Sequence, residues 1–257
     1  MLHSSKINSV VRYWLYSLGF LSRIPVPWEW IERKPPARKK LPEWFPLAGL
    51  TLGILFGVLA LVFSVLVPHV LLAMLLAGIL PLATGAFHED GFADVADAAG
   101  AYEPDSRLKI MKDSRIGTFG GLALIFLFGV RFAAFVLLLE SSPWTLAAAL
   151  VVSQSWSRWS PILMLKRLPY VSEQGRIAGE FTPPSSNILR GWAVGLVVLT
   201  GLLCGPVALI LIPAGILCLN YYLEHFFHQQ FRGITGDCLG ATAISSELLI
   251  LTLLVCA

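Results

Sequence analysis

From Phe45 to Cys256 the chain is a succession of apolar runs, each about as long as a lipid bilayer is thick, and this limits the fold more than any motif does. A helix needs roughly 20 residues to cross the hydrocarbon core, and lipid tolerates only structures whose backbone polar groups are paired internally. The runs fall at residues 45–67, 69–87, 119–139, 143–165, 189–204, 206–227 and 238–256, the fifth being short. Only 14% of the 257 residues are charged and 56% are hydrophobic, whereas a soluble domain carries about 25% charge. The expected class is therefore all-α, a polytopic membrane bundle of about seven transmembrane helices. It forms a single membrane domain over residues 1–257, with residues 1–44 outside the bundle and 45–257 forming it.

The first 44 residues have another character. No secretory signal peptide is read there. Ile7, Val10, Val11, Trp14, Leu15, Leu18 and Leu21 recur at helical spacing, with Lys6, Arg12 and Arg23 off that stripe. This predicts an amphipathic helix lying in the membrane interface; a span that dips in and returns at Pro25 and Pro27 is the competing reading. A basic, proline-containing linker follows over residues 31–40. In the first apolar run Gly49, Gly53 and Gly57 form a small-residue stripe that predicts close approach of another helix. The four cysteines, Cys204, Cys218, Cys238 and Cys256, lack CxxC spacing and read as small hydrophobes, not as a disulfide or zinc framework.

The placement of basic residues predicts the orientation. Eight of the 19 Lys and Arg precede the first run: Lys6, Arg12, Arg23, Arg33, Lys34, Arg38, Lys39 and Lys40. Arg107, Lys109, Lys112 and Arg115 lie between runs two and three, Lys166, Arg167, Arg176 and Arg190 around the connection of runs four and five, and Arg232 between six and seven. The alternate connections, near Pro68, Ser141 and Gly205, carry none. The positive-inside rule makes the basic side cytoplasmic, which predicts an inner-membrane, multi-pass protein with its N-terminus in the cytoplasm and its C-terminus outside.

Chemistry concentrates in one polar stretch, Phe87-His-Glu-Asp-Gly-Phe-Ala-Asp-Val-Ala-Asp-Ala-Ala-Gly100. On a helix Asp90, Asp94 and Asp97 share a face at i, i+4 and i+7, and three like charges there repel. A divalent cation would offset them, and Mg²⁺ takes carboxylate oxygens together with substrate phosphates. A solvated acidic turn outside the membrane is the alternative. His88 adjoins these acids and could take a proton from an attacking hydroxyl or serve as a hydrogen-bonded structural residue. The following loop brings Lys112, Asp113, Ser114 and Arg115 before Gly117, Gly120 and Gly121. Carboxylates for a metal and cations for phosphate oxygens are the parts that phosphoryl transfer needs; positive-inside anchoring is the plainer reading of the cations. The loop does not match the Gly-x4-Gly-Lys-Ser/Thr of a P-loop.

Gly85-Ala-Phe-His-Glu-Asp-Gly-Phe-Ala-Asp-Val-Ala-Asp97 followed by Met111-Lys-Asp-Ser-Arg-Ile-Gly-Thr-Phe-Gly-Gly121 closely resembles the cobalamin synthase family, the adenosylcobinamide-GDP ribazoletransferases. Arg23-Ile-Pro-Val-Pro27, Phe45-Pro-Leu-Ala-Gly49, Ser157-Arg158, Gly236-Asp-Cys-Leu-Gly-Ala241 and Glu247 extend the resemblance over nearly the whole chain. It implies Mg²⁺-dependent joining of adenosylcobinamide-GDP with α-ribazole or its 5′-phosphate, GMP leaving, in the last assembly step of coenzyme B12. Glu89 and Phe92 depart from the usual His-Leu-Asp-Gly-Leu-Ala-Asp. Glu89 adds a negative charge beside the acidic face and is expected to tolerate Gln. The Asp-Gly-x-Ala-Asp core is also similar to the CDP-alcohol phosphotransferase signature, which keeps that class as the alternative. An ion-coupled transporter would usually show two related halves, and the acidic stretch has no second copy.

Ionisable groups within apolar runs are functional candidates by default. Arg158 could reach a substrate phosphate or pair with Glu247, which is expected to face the bundle interior. Asp237 reads as a helix cap or as a metal or substrate ligand, and Arg131 as the partner of an unidentified carboxylate. His225 and His228 read as an interfacial anchor. The expected site is thus His88, Asp90, Asp94 and Asp97 for catalysis, the three aspartates for Mg²⁺, and Lys112, Asp113, Ser114, Arg115 and Arg158 for substrate phosphates. Asp237, Glu247 and Arg23 are secondary. Expected partners are the two substrates and the lipid bilayer, without nucleic acid; a homo-oligomer is left open.

Overall fold

The computed structural model describes residues 9–27, 37–101, 106–111, 113, 115–171 and 177–257. Their main elements are helices, in the order α1 Ser9–Leu21, α2 Phe45–Phe63, α3 His69–Thr84, α4 Phe87–Ala99, α5 Arg107–Ile110, α6 Thr118–Ser141, α7 Pro143–Arg167, α8 Ser186–Phe231 and α9 Gly236–Cys256. Two 3₁₀ turns, Arg38–Trp44 and Ile177–Glu180, sit in the connections. Each of the apolar runs read from the sequence falls on a helix.

Four of the described helical stretches are long and apolar enough to cross a membrane: Arg38–Phe63, Thr118–Ser141, Ser186–Phe231 and Gly236–Cys256. A fifth arises if α3 and α4, bent by 92° at their junction, are one broken span. A straight helix of the length of α8 would measure about 70 Å, more than twice the hydrocarbon thickness. It is broken at Gly205, whose φ of 84° and ψ of −179° no helix contains, and Pro206 follows without a backbone N–H to offer. The halves double back, because a Cβ at Gly201 would strike Leu209. This break is the predicted boundary between runs five and six.

α7 is not among these stretches, for a reason that organises the molecule. Its middle, Ser153–Ser160, is polar and fully enclosed by other helices. Ser160 Oγ accepts from Ser246 at 2.8 Å and from Asn220 Nδ2 at 2.7 Å, and Trp156 Nε1 donates to Thr200 at 3.0 Å. Polar side chains thus tie α7 to α8 and α9, where the bilayer provides no hydrophobic drive between helices. Shape does the same on the α2 side. A Cβ at Gly49 would overlap the Gln154 carbonyl, and one at Gly53 would sit 2.6 Å from Val151 Cα. The glycine stripe therefore brings the backbones of α2 and α7 together as its spacing predicts.

The N-terminal helix is amphipathic, but protein covers one face. Leu15, Ser17, Leu18 and Leu21 are buried, and Trp14 Nε1 donates to Thr51 Oγ1 at 3.0 Å. The 13 described residues of α1 span about 20 Å, less than the hydrocarbon thickness. Residues 31–36 of the basic linker lie outside the described residues. At the same end of the bundle Thr182 N donates to Lys39 O at 2.8 Å and Trp192 Nε1 to Glu43 O at 2.8 Å. Ser141, Pro206 and Ala257 share a groove at the other end.

Candidate active site

The acidic helix is set by a sharp corner. α3 ends at Gly85, φ 69°, and Ala86 follows at φ 55°. Glycine accepts that region freely, but alanine does so at a cost, so the 92° turn carries local strain held by Ala86 N–H to Pro81 O at 2.7 Å. The Arg23 side chain lies across Gly85, and its backbone N–H reaches Ala83 O at 2.7 Å. Beyond the corner α4 runs antiparallel to α9 at backbone contact: a Cβ at Gly91 would sit 2.8 Å from Asp237 Cα, and one at Gly240 3.2 Å from the His88 carbonyl.

Rotation of α4 about its axis is fixed by Glu89. This side chain is buried, not poised beside the acidic face, and accepts from Arg131 Nη2 at 3.1 Å. Arg131 Nε donates to Glu247 Oε1 at 2.8 Å. The carboxylate partner of Arg131 is therefore a pair, one from α4 and one from α9, and Glu247 faces the interior as expected. The expectation that Glu89 tolerates Gln rested on a place beside the acidic face; the structure sets it instead in a buried ionic group, where loss of a charge is costly.

His88 and Arg158 line one small cavity of about 40 Å³, walled by Phe20, Phe45, Phe87 and Phe181. His88 is 6% exposed and Arg158 4%. Arg158 Nη1 donates to Ser157 Oγ at 2.7 Å, while Arg158 Nε and His88 Nδ1 have no hydrogen-bond partner among the described residues. Glu247 pairs with Arg131 and not with Arg158. Buried polar atoms without partners are uncommon, and two beside one cavity mark it as a place for a polar ligand group or water.

The three aspartates occupy one face of α4 in three environments. Asp90 is exposed, and Asp94 and Asp97 are half-buried. Asp97 takes backbone N–H bonds from Gly117 at 2.7 Å and Gly120 at 2.8 Å, one on each oxygen. It thereby ties the start of α6 to α4 and holds the Arg115 loop beside the acidic face. Among the described residues no three His, Cys, Asp or Glu side chains converge on a metal position. Asp90 and Asp94 still supply two carboxylates one turn apart, and Mg²⁺ is commonly held by one or two carboxylates plus substrate phosphates. The donor set fits an ion that arrives with a diphosphate, with Asp97 engaged elsewhere.

Asp113 and Arg115 clasp one another, Arg115 Nη2 to Asp113 Oδ2 at 2.6 Å, and the Arg115 side chain is 87% exposed. The guanidinium hydrogen bonds hold the Asp113 carboxyl down to about 2. Lys112 and Ser114 lie outside the described residues. Asp237 is not the cap of α9. Thr235 Oγ1 accepts from Cys238 N at 3.3 Å and donates to Asp237 Oδ2 at 3.3 Å, so Asp237 stands in the first turn against Gly91. His225 contacts Gln229 at 2.7 Å on the exposed side of α8. Sequence reasoning missed the pairing of Glu89 and the aromatic wall; the one available signal was a lone Arg131 in an apolar run.

Residues 13–255 match the protein family described as Cobalamin-5-phosphate synthase. A relative from Brucella anthropi named adenosylcobinamide-GDP ribazoletransferase is 37% identical over 97% of this chain and 98% of its own length. Relatives of the same name from Shewanella woodyi and Polaromonas sp. strain JS666 are 35% and 31% identical, covering 90% and 92% of the chain and 91% and 93% of their own lengths. No solved structure matches the chain.

Proposed function

The chain belongs to the cobalamin-5-phosphate synthase family, and from that premise we propose that it joins adenosylcobinamide-GDP to α-ribazole or α-ribazole 5′-phosphate, releasing GMP. The observation that carries this reading is the arrangement of α4. Its exposed face presents Asp90 and Asp94, and its buried side sets His88 beside Arg158 at the aromatic-walled cavity. In the reaction the acceptor hydroxyl oxygen forms a bond to the phosphorus on the cobinamide side. The bond from that phosphorus to the bridging oxygen breaks, and GMP departs. The hydroxyl proton passes to His88, whose Nδ1 has no other hydrogen-bond partner among the described residues.

Asp90 and Asp94 would hold Mg²⁺ together with the diphosphate. The ion, when bound, offsets the charge that develops on the phosphoryl oxygens. Arg158 orients a phosphate oxygen from the buried side, and Arg115, with Lys112, meets the donor from the loop that Asp97 tethers. Asp237 completes the wall of the acidic face. We place this face on the cytoplasmic side of the inner membrane, because the basic connections gather at that end.

Purified protein in liposomes, given adenosylcobinamide-GDP, α-ribazole and Mg²⁺, is expected to release GMP and form the joined corrinoid. A chelator should stop the release. CMP from a CDP-alcohol donor, or no nucleotide at all, would overturn the reading.

A further inference from the structure

Where the last turn of α7 meets the first turn of α8, a groove of about 470 Å³ lies apart from the acidic helix. Trp159, Leu163 and Leu189 form its apolar floor, and Lys166, Arg167 and Arg190 its rim. The floor is fixed: Trp159 is buried, stacks edge-on against Trp156, and donates from Nε1 to Leu189 O at 3.2 Å. Among the described residues the rim is unbalanced. Arg167 pairs with Glu224 at 2.8 Å, but Lys166 meets the neutral Ser186 Oγ, and Arg190 meets Asn187 Oδ1 and the Ser186 carbonyl. Two cations thus have neutral acceptors and retain charge for a ligand. Below the rim Arg190, Val194 and Val198 are spaced four apart on α8 and share a face. Val194 is 64% exposed and Val198 53%, so an apolar track leads away from the cations.

A cationic rim above an apolar floor that runs onto an exposed apolar helix face matches one molecule type in its two parts. We propose that this groove binds an anionic glycerophospholipid of the surrounding bilayer, its phosphate at Lys166 and Arg190 and an acyl chain along Val194 and Val198. Basic pockets between membrane helices recognise such headgroups, and the stems of Lys and Arg pack on apolar surface while their charges reach the headgroup level. The site is independent of the proposed reaction, because none of its residues belongs to the acidic face or the cavity.

The test uses the full chain in detergent, with native mass spectrometry counting bound phosphatidylglycerol or phosphatidylcholine across a titration. Wild type is expected to favour phosphatidylglycerol by roughly tenfold. The Lys166→Gln/Arg190→Gln double variant should bind the two lipids alike, with its melting temperature in phosphatidylcholine unchanged, while Arg190→Lys keeps the preference. Equal binding of both lipids by wild type, or a preference that survives in the double variant, overturns the site. If inorganic phosphate competes phosphatidylglycerol away, the cations serve a soluble phosphate and the lipid assignment falls. Should the double variant misfold, the comparison of Arg190→Lys with Arg190→Gln decides by the same criterion.

Discussion

Arg131 and Glu247, 116 residues apart in the chain, meet at 2.8 Å with the arginine side chain fully buried and the glutamate 1% exposed. The other arm of the guanidinium takes Glu89. One planar fork therefore joins α6, α9 and α4, and a fork with fixed N–H directions does this better than an ammonium could. The consequence for the site is angular. With Glu89 held inward, His88 before it is buried and Asp90 after it is exposed.

This network should show the asymmetry of buried ion pairs. Arg131→Met leaves two glutamates without their cation and is expected to cost about 3–5 kcal/mol, enough to lose most folded protein. Glu89→Gln keeps an acceptor for Nη2 but removes one charge, and should lower the melting temperature by less. A triple replacement with apolar residues of similar volume should recover stability without recovering GMP release. Melting in detergent and turnover, measured side by side, check this; an Arg131→Met protein that melts like wild type would refute the role of the network.

Segments with a strong local signal were legible before the fold was known. Gly49, Gly53 and Gly57 announced a close helix contact because small residues at that spacing have few other uses in lipid, and the break at Gly205–Pro206 followed from backbone chemistry. Asp90, Asp94 and Asp97 share a helix face as their spacing requires. What spacing cannot carry is the partner across space. Asp97 looked equivalent to its neighbours, yet it accepts two N–H groups from a helix 20 residues on. Glu89 looked like an extra surface charge, and only the packing of α6 and α9 against α4 reveals its arginine. Thr235, not Asp237, caps α9, a choice between two suitable oxygens two residues apart.

The glycine stripe can be tested against a built-in control. Gly53→Ala would press a methyl group into Val151 Cα and the Leu150 carbonyl, and overpacking of this kind costs about 1–3 kcal/mol. Gly78 lies in α3 with nothing near its absent side chain, so Gly78→Ala should be neutral or stabilise by about 0.5–1 kcal/mol. In the same detergent Gly53→Ala is expected to lower the melting temperature, while Gly78→Ala leaves it unchanged or raises it. Equal shifts would mean that α2 and α7 do not approach so closely.

The loop cation is expected to act on one substrate. Arg115→Ala should weaken the apparent affinity for the diphosphate donor by roughly tenfold and leave that for α-ribazole nearly unchanged. Its clasp with Asp113 should not respond to pH in the physiological range. A carboxyl depressed to about 2 contributes fully above its ordinary value and loses that contribution only as pH falls through about 2. Donor KM for wild type and Arg115→Ala, followed between pH 5 and 8, should therefore stay a constant ratio apart. A ratio that collapses within that window would remove the clasp from donor binding.

The aspartates of α4 offer the sharpest division, because side chains of one type on one face should fail in two different ways. Asp90 and Asp94 are the proposed Mg²⁺ ligands. Asp90→Asn or Asp94→Asn removes a charge from the ion while keeping size, and relieves like-charge repulsion along the helix. Turnover should fall at least about a hundredfold, which is about 2.7 kcal/mol of transition-state stabilisation, with melting temperature unchanged or raised and with partial recovery at high Mg²⁺ or with Mn²⁺. Asp97 instead accepts from Gly117 and Gly120 at the start of α6. Asp97→Ala removes a cap and should cost about 1 kcal/mol, with the loop loosened and donor KM raised, whereas Asp97→Asn retains one acceptor and should lose less. Added metal should rescue neither Asp97 variant. If Asp97→Asn behaves like Asp94→Asn, losing turnover without stability and regaining it with Mn²⁺, then the carboxylate leaves its glycine partners during the reaction and joins the ion, and the two-carboxylate site is wrong.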